Sequence, residues 1–157
     1  MMNGVHEGAV WRFMLWGGVG AGKTTLLKAL TEESEIPVRK TQMVDYSNWG
    51  IDTPGEYSEM GHLRRHLVST ACDAHLLVVV HDATRDTTNF PPNYFLMFPQ
   101  GAIGVVTKID IPTTDTERAT AILRQIGVLG DIFYVSAITG SGLSELRQNL
   151  IALSRKE

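Results

Sequence analysis

A single cysteine, Cys72, stands in the 157-residue sequence. An internal disulfide needs two cysteines and a thiolate metal cluster needs more, so both are excluded. Cys72 follows Ala71 on what reads as the core side of a helix, and a small buried hydrophobe is its expected role. Long hydrophobic runs are missing too. The longest, such as 76–80, fall far short of the ~20 residues that cross a bilayer, so no membrane span is expected. Residues 1–7 contain no basic segment leading into an apolar stretch, which argues against a signal peptide and makes a cytoplasmic location the default. No block of basic residues occurs, and 14 Lys and Arg against 17 Asp and Glu leave a formal charge of -3. A nucleic-acid backbone is therefore not expected as the main ligand. No repeat or low-complexity linker breaks the chain, and one domain over residues 8–155 is expected.

What is present is an alternation of short apolar runs and amphipathic stretches, within a composition that is 43% apolar. Val10 to Trp16 reads as a first strand ending in glycines, and a helix from Gly22 to Leu30 follows, with Leu26, Leu27 and Leu30 at core-facing spacing. After a polar stretch from Glu32 to Thr41 come short extended pieces at 42–46 and 49–52. Met60, Leu63, Leu67, Val68 and Ala71 mark a second helix, with Arg64 and Arg65 off its apolar stripe. The continuous apolar run from His75 to His81 suits a central parallel strand covered on both faces, as does 102–107. Thr114 and Glu117 form a capping-box pair before a helix carrying Ala119, Ile122, Leu123 and Ile126. Residues 132–135 make a last strand, and Leu143, Leu146, Leu150 and Leu153 the face of a last helix. The expected fold is α/β: a three-layer α/β/α sandwich with a mainly parallel sheet. Ligands in such folds bind beyond the carboxyl ends of the strands. Gly17, Asp52, Asp82, Lys108 and Ser136 fall at or just past those ends and should converge on one crevice.

Gly17, Gly18, Val19, Gly20, Ala21, Gly22, Lys23 and Thr24 form a complete GxxxxGKT phosphate loop between strand and helix, continued by Thr25. Its glycines let backbone N–H groups curl around phosphate oxygens, and Lys23 adds a positive charge. Thr24 is the expected Mg²⁺ ligand at a helix start whose dipole also favours the anion. Asp52, in Asp52-Thr53-Pro54-Gly55, can hold Mg²⁺ through water, and the Gly55 N–H can approach a γ-phosphate. Thr41, in the polar connection, is a candidate for a second Mg²⁺ contact. Thr107-Lys108-Ile109-Asp110 follows a strand, and its carboxylate can accept from the N1–H and 2-amino group of guanine. Adenine lacks that donor pair. The stem of Lys108 can lie over the base while its ammonium stays wet. Ser136 and Ala137 end the last strand, where the Ala137 N–H can meet the guanine O6. The expected ligands are thus GTP or GDP with Mg²⁺.

These elements, in this order, resemble the signature set of the Ras-like, translation-factor-related GTPases. A closer resemblance rests on Lys40-Thr41-Gln42, on the short path to Ile51-Asp52-Thr53-Pro54-Gly55-Glu56-Tyr57, on Phe90-Pro91-Pro92, and on residues 104–110. In these the chain, from about Phe13 to Leu150, is similar to the EutP/PduV family of bacterial ethanolamine- and propanediol-utilisation P-loop proteins. The resemblance implies that Thr41 is the switch-one threonine, that Asp52 and Gly55 are the switch-two pair, and that Asp110 reads guanine. It also implies a setting in a bacterial microcompartment system, with shell proteins or pathway enzymes as partners. Two departures stand out. Thr107 replaces the asparagine common in Ras-like proteins, which predicts a weaker hydrogen-bond scaffold. Glu56 replaces the water-orienting glutamine and puts an unfavourable charge beside a γ-phosphate. Lys23, Thr41, Gly55 and Glu56 are the catalytic candidates, and slow intrinsic GTP hydrolysis is expected, with the need for a partner left open.

Two other functions remain open at this level. A small-molecule phosphotransferase, such as an acetate kinase using ATP or GTP, would also use a phosphate loop, with Arg85 and the Arg64-Arg65 pair as cationic candidates. A nucleotide-regulated scaffold with negligible turnover is the other, suggested by Glu56 and by the aromatic segment 90–98. That segment reads first as a core-packed helix and second as a docking patch. The path from Thr41 to Asp52 is too short for a long two-stranded hairpin, so a sheet edge could be exposed for a partner or a second copy. His62 and His66 share a helix face without a convincing third ligand, so no transition metal is assigned. His81 carries no role from sequence.

Overall fold

The structure is a computed structural model that describes residues 11–18, 20–32, 50–51 and 61–156, with backbone alone at 31, 32, 51, 61–64 and 66. Among the described residues, five strands form one sheet: β1 (Phe13–Trp16), β2 (Gly50–Ile51), β3 (Leu76–Asp82), β4 (Ala102–Thr107) and β5 (Ile132–Tyr134). Their order is β2-β1-β3-β4-β5 and every pairing is parallel. The chain leaves β1 toward β2 on one side and returns to β3 on the other. The β1/β3 boundary is therefore the point where the winding direction reverses and a crevice opens at the strand ends. Among the described residues, four helices cover the sheet: α1 (Lys23–Glu32), α2 (Gly61–Ala71), α3 (Thr116–Gln125) and α4 (Leu143–Arg155).

Alternating side chains divide the interior into two apolar layers. Phe13, Leu15, Val78, Val80 and Val105 pack against Leu26 and Leu30 of α1 and Leu143, Leu146 and Leu150 of α4. Met14, Trp16, Leu77, Val79 and Val106 face the opposite way, against Leu67 and Ala71 of α2 and Ala119 and Leu123 of α3. Burial on both faces explains why β3 and β4 read as continuous apolar runs. The sandwich expected from sequence is thus the fold observed.

The aromatic segment is core for the most part, and its helix is shorter than expected. Tyr94–Met97 make one turn of 3₁₀ helix, and Phe90, Phe95 and Phe98 are buried. They surround Trp16 with ring centroids 5.3 to 6.0 Å away. Such offset and edge contacts are the favoured geometry for aromatic rings. Leu96 and Met97 point outward, 51% and 53% exposed.

Two local expectations are corrected. The cap of α3 is Asp115, not Thr114: its carboxylate accepts from the Arg118 N–H at 2.9 Å. The helix starts one residue later than the capping-box reading has it, and an ionised side chain is the stronger acceptor for an unpaired N–H. Cys72 is exposed rather than buried. Helix α2 ends at Ala71, and one further position rotates Cys72 away from the stripe of Leu67 and Ala71, which are 4% and 0% exposed. The extended piece at 42–46 and the Arg64, His62, Leu63 and His66 side chains lie outside the described residues. So does the sheet edge beyond β2.

Candidate nucleotide site

The end of β1 leads straight into the phosphate loop. Gly20 and Gly22 have φ of 78° and 97°, a region open to glycine and costly for other residues. Gly17 is required for a different reason: a Cβ there would lie 2.8 Å from the Val80 carbonyl, so the loop backbone rests directly on β3. The Leu26 N–H bonds the Gly22 carbonyl at 2.8 Å and launches α1 out of the loop. Lys23 is 6% exposed, and its ammonium donates to the carbonyls of Gly17 at 2.9 Å and Gly18 at 3.3 Å. A buried cation in a ring of glycine backbone fits an anionic ligand, as does the helix start beside it. Thr24 and Thr25 lie exposed in the first turn of α1. Val19, Thr41, Asp52, Gly55 and Glu56 lie outside the described residues. Of the proposed Mg²⁺ ligands, only Thr24 is therefore placed.

The second half of the site forms where β4 and β5 end. Lys108 has φ 66°, a sharp left-handed turn right after β4. Its ammonium donates to the Gly20 carbonyl at 2.9 Å and to Asp82 Oδ2 at 2.8 Å. The sequence reading left this ammonium in water. The fold instead ties it to the phosphate loop and to β3, with the side chain 39% exposed. Thr107, expected to be a weak scaffold, donates its buried hydroxyl to the Ala21 carbonyl at 2.7 Å. One short hydrogen bond thus links the end of β4 to the phosphate loop. Asp110 Oδ1 accepts from the Ser136 hydroxyl at 2.8 Å. Ser136 is fully buried, and its Oγ in turn accepts from the Thr139 N–H at 3.1 Å. These contacts set the direction of the carboxylate. Gly22, Thr25, Lys108, Asp110, Ala137 and Ile138 border a mainly apolar recess of about 220 Å³. The phosphate loop and the Thr107 to Asp110 and Ser136 to Ala137 turns, distant in sequence, therefore share one crevice.

Asp82, expected from its strand end to reach the crevice, has partners there that the sequence did not reveal. Asp82, the last residue of β3, is 4% exposed. Besides Lys108, it accepts from the Thr84 N–H at 2.8 Å and the Thr84 hydroxyl at 2.6 Å. Burial by itself would raise its pKa, but the bonds from Lys108 and Thr84 outweigh it and hold the carboxyl below its ordinary value. His81, next to it, is pushed below the usual imidazole value by burial, against smaller opposing contributions from its bond to the Arg85 carbonyl and from Asp82. The only sequence signal for either residue was its position at a strand end.

This architecture and site define a nucleotide-binding protein of the P-loop NTPase class. A crystal structure described as an SsGBP variant, G235S, superposes with a TM-score of 0.62 at 17% identity, covering 97% of this chain and 58% of that one. The translation elongation factor SelB from Methanococcus maripaludis superposes at 0.57 and 24% identity, covering 92% and 33%. The chain thus spans little more than half of one solved neighbour and a third of the other, and these likenesses concern the fold alone. The particular family follows from sequence. Residues 10–152 match the family model described as ethanolamine utilisation - propanediol utilisation. A relative named "Probable acetate kinase EutP" from Salmonella typhimurium is 34% identical over 148 residues, 93% of this chain and 92% of the relative. The "Propanediol utilization protein PduV" of Citrobacter freundii is 33% identical over 149 residues, covering 93% and 95%. The chain belongs to the EutP/PduV family.

Proposed function

We propose that this protein binds guanine nucleotide with Mg²⁺ and slowly hydrolyses GTP, in the service of an ethanolamine- or propanediol-type microcompartment system. The observation that carries the reading is the 2.8 Å bond from Ser136 to Asp110 at the mouth of the recess beside Gly22. It leaves the second carboxylate oxygen and the remaining lone pairs for a ligand with two adjacent donors, which guanine presents and adenine does not. Lys23 and the loop N–H groups hold the phosphates, and the Lys108 stem flanks the base. Thr24, with Thr41 and Asp52, would hold Mg²⁺, which supplies charge neutralisation on the phosphate oxygens. Gly55 would contact the γ-phosphate, and Glu56 would order the water less well than a glutamine. Asp110→Asn should move preference from guanine toward xanthine by about tenfold or more, since one buried polar mismatch costs about 1–3 kcal/mol. Unchanged GTP affinity in that variant would overturn the assignment of the base pocket.

A second reading is transfer of the phosphate to a small carboxylate. Its support is the name of the acetate-kinase relatives together with a cavity of about 60 Å³ beside the phosphate loop, lined in part by Gly18, Arg85, Thr87 and Asn89. Phosphate appearing on added acetate, instead of in solution, would select it. In either case the exposed pair Leu96 and Met97 is the surface we assign to contact with a shell protein or pathway enzyme.

A further inference from the structure

We infer that the outer edge of β5 is a docking groove for an extended, basic segment of a partner protein, which joins the sheet as an added strand. The inference is independent of the nucleotide reading.

β5 is the last strand in the sheet order, with β4 on one side of it. The Gly104 N–H donates to the Asp131 carbonyl and the Val135 N–H to the Val106 carbonyl, both at 2.9 Å. In a parallel ladder, alternate residues turn both backbone groups to the same neighbour. Asp131, Phe133 and Val135 therefore face β4, while Ile132 and Tyr134, opposite Gly104 and Val106, turn theirs outward. Gly142 closes off the Tyr134 carbonyl, with which a Cβ at that position would collide. The N–H and carbonyl of Ile132 and the N–H of Tyr134 are left without a partner among the described residues. Such a row of backbone groups is a template for strand addition.

Helices α3 and α4 stand on either side of this edge and make it a groove of about 660 Å³. Its two walls differ. On the α3 side Ile132 packs against the core layer of that helix, and the Tyr134 hydroxyl meets Thr120 Oγ1 at 2.7 Å. The Tyr134 side chain is 39% exposed and offers an apolar ring to an occupant. Arg124 also borders this wall, but its Nη1 donates to the Val128 and Gly130 carbonyls at 2.9 and 2.8 Å, so its own loop engages it. On the α4 side stand Glu145 and, by alternation with Phe133, Asp131. Both are exposed, and neither has an ion pair among the described residues. Asn149 of α4 lines the same groove, and its Oδ1 is buried without a hydrogen bond among the described residues. A buried acceptor in that state is costly until a donor reaches it.

These features select one occupant. Two carboxylates and an unpaired acceptor on one wall call for positive charge and N–H donors, and the apolar wall calls for apolar side chains. A strand presents successive side chains to opposite faces, so the fitting segment alternates basic with apolar residues. A second copy of this chain fits less well. It would bring the same carboxylates together across the junction, and like charges facing one another on paired strands are destabilising.

The test titrates the full chain, followed by amide NMR, with a short capped peptide of alternating lysine and valine. Two controls are a peptide of the same composition with its lysines in one block and a peptide of alternating glutamate and valine. A Kd on the order of 10⁻⁴ M is expected for the first, as suits a short edge. The amides of Ile132 and Tyr134 should shift and exchange more slowly, and both controls should bind about tenfold more weakly or worse. N-methylating alternate residues of the probe should abolish binding for one set and spare it for the other, since only one set of its N–H groups meets the edge. A double variant, Asp131→Asn with Glu145→Gln, should lose about tenfold in affinity with its melting temperature unchanged. Equal binding of the blocked and alternating lysine peptides would reduce the effect to net charge and overturn the inference. So would indifference to N-methylation, perturbed amides away from β5, or no binding at about 1 mM. Concentration-dependent dimerisation that protects the same two amides would overturn it in favour of a second copy.

Discussion

Replacing Asp82 by asparagine tests the coupling between the base-reading turn and the phosphate loop. The carboxylate is nearly buried and accepts three hydrogen bonds, two from Thr84 and one from the Lys108 ammonium. Asparagine keeps one acceptor oxygen for Thr84 but removes the charge that Lys108 meets at 2.8 Å. Lys108 is 39% exposed, so its share is screened and worth about 1 kcal/mol at most. Weakening the charge-assisted bonds from Thr84 adds about 0.5–1 kcal/mol. A loss of about 1–2 kcal/mol should lower the melting temperature by roughly 2–8 °C for a chain of this size. Lys108 would then be held by Gly20 alone, and GTP affinity should fall about 5- to 30-fold. Thermal unfolding followed by circular dichroism, with GTP titration on the same preparations, reads both quantities. An Asp82→Asn variant that melts within 1 °C of wild type at pH about 7 and binds GTP equally well would refute the clamp.

Stability should also decline on mild acidification. The buried imidazole of His81 has its pKa lowered from 6.5, so below that pH the unfolded chain takes up the proton first; stability is full above about 6.5 and is lost as pH falls toward the folded value. Asp82, lowered from 3.8, adds a loss of the same sign only below that pH. Melting temperatures between pH about 8 and 5 should fall in wild type and flatten in His81→Asn, and equal slopes would contradict the burial argument. Trp16→Ala removes a fully buried ring from the aromatic cluster and should cost about 3–5 kcal/mol in denaturant unfolding; a cost under about 1 kcal/mol would mean that the cluster does not pack as described.

Much of the fold could be read from the chain because its determinants are local. A run such as 76–80, apolar at every position, has few alternatives to a doubly covered strand, and leucines at helical spacing in 143–153 admit one packing face. The glycines of the phosphate loop were legible for the same reason, since positive φ and close backbone approach exclude most other residues. Where local rules compete, sequence reading slipped by small amounts with large consequences. Asp115 and Thr114 are both good caps, and one residue of helix start decides between them. Cys72 follows the buried Ala71 but lies past the end of α2, and a single step changes its environment from core to solvent.

The chemical identity of the site residues is written in the sequence: a glycine loop with a lysine, two carboxyl-bearing turns and a serine at strand ends. Which of them touch is not. Lys108 and Gly20, Thr107 and Ala21, and Asp110 and Ser136 meet only because parallel pairing brings β1, β3, β4 and β5 to one edge with their carboxyl ends level. The role of Asp82 depends on that registration entirely. Asp82 stands opposite Thr107 in the ladder, which puts it within reach of Lys108. Side-chain chemistry is a property of each residue alone, whereas proximity across a sheet is a property of the assembled chain.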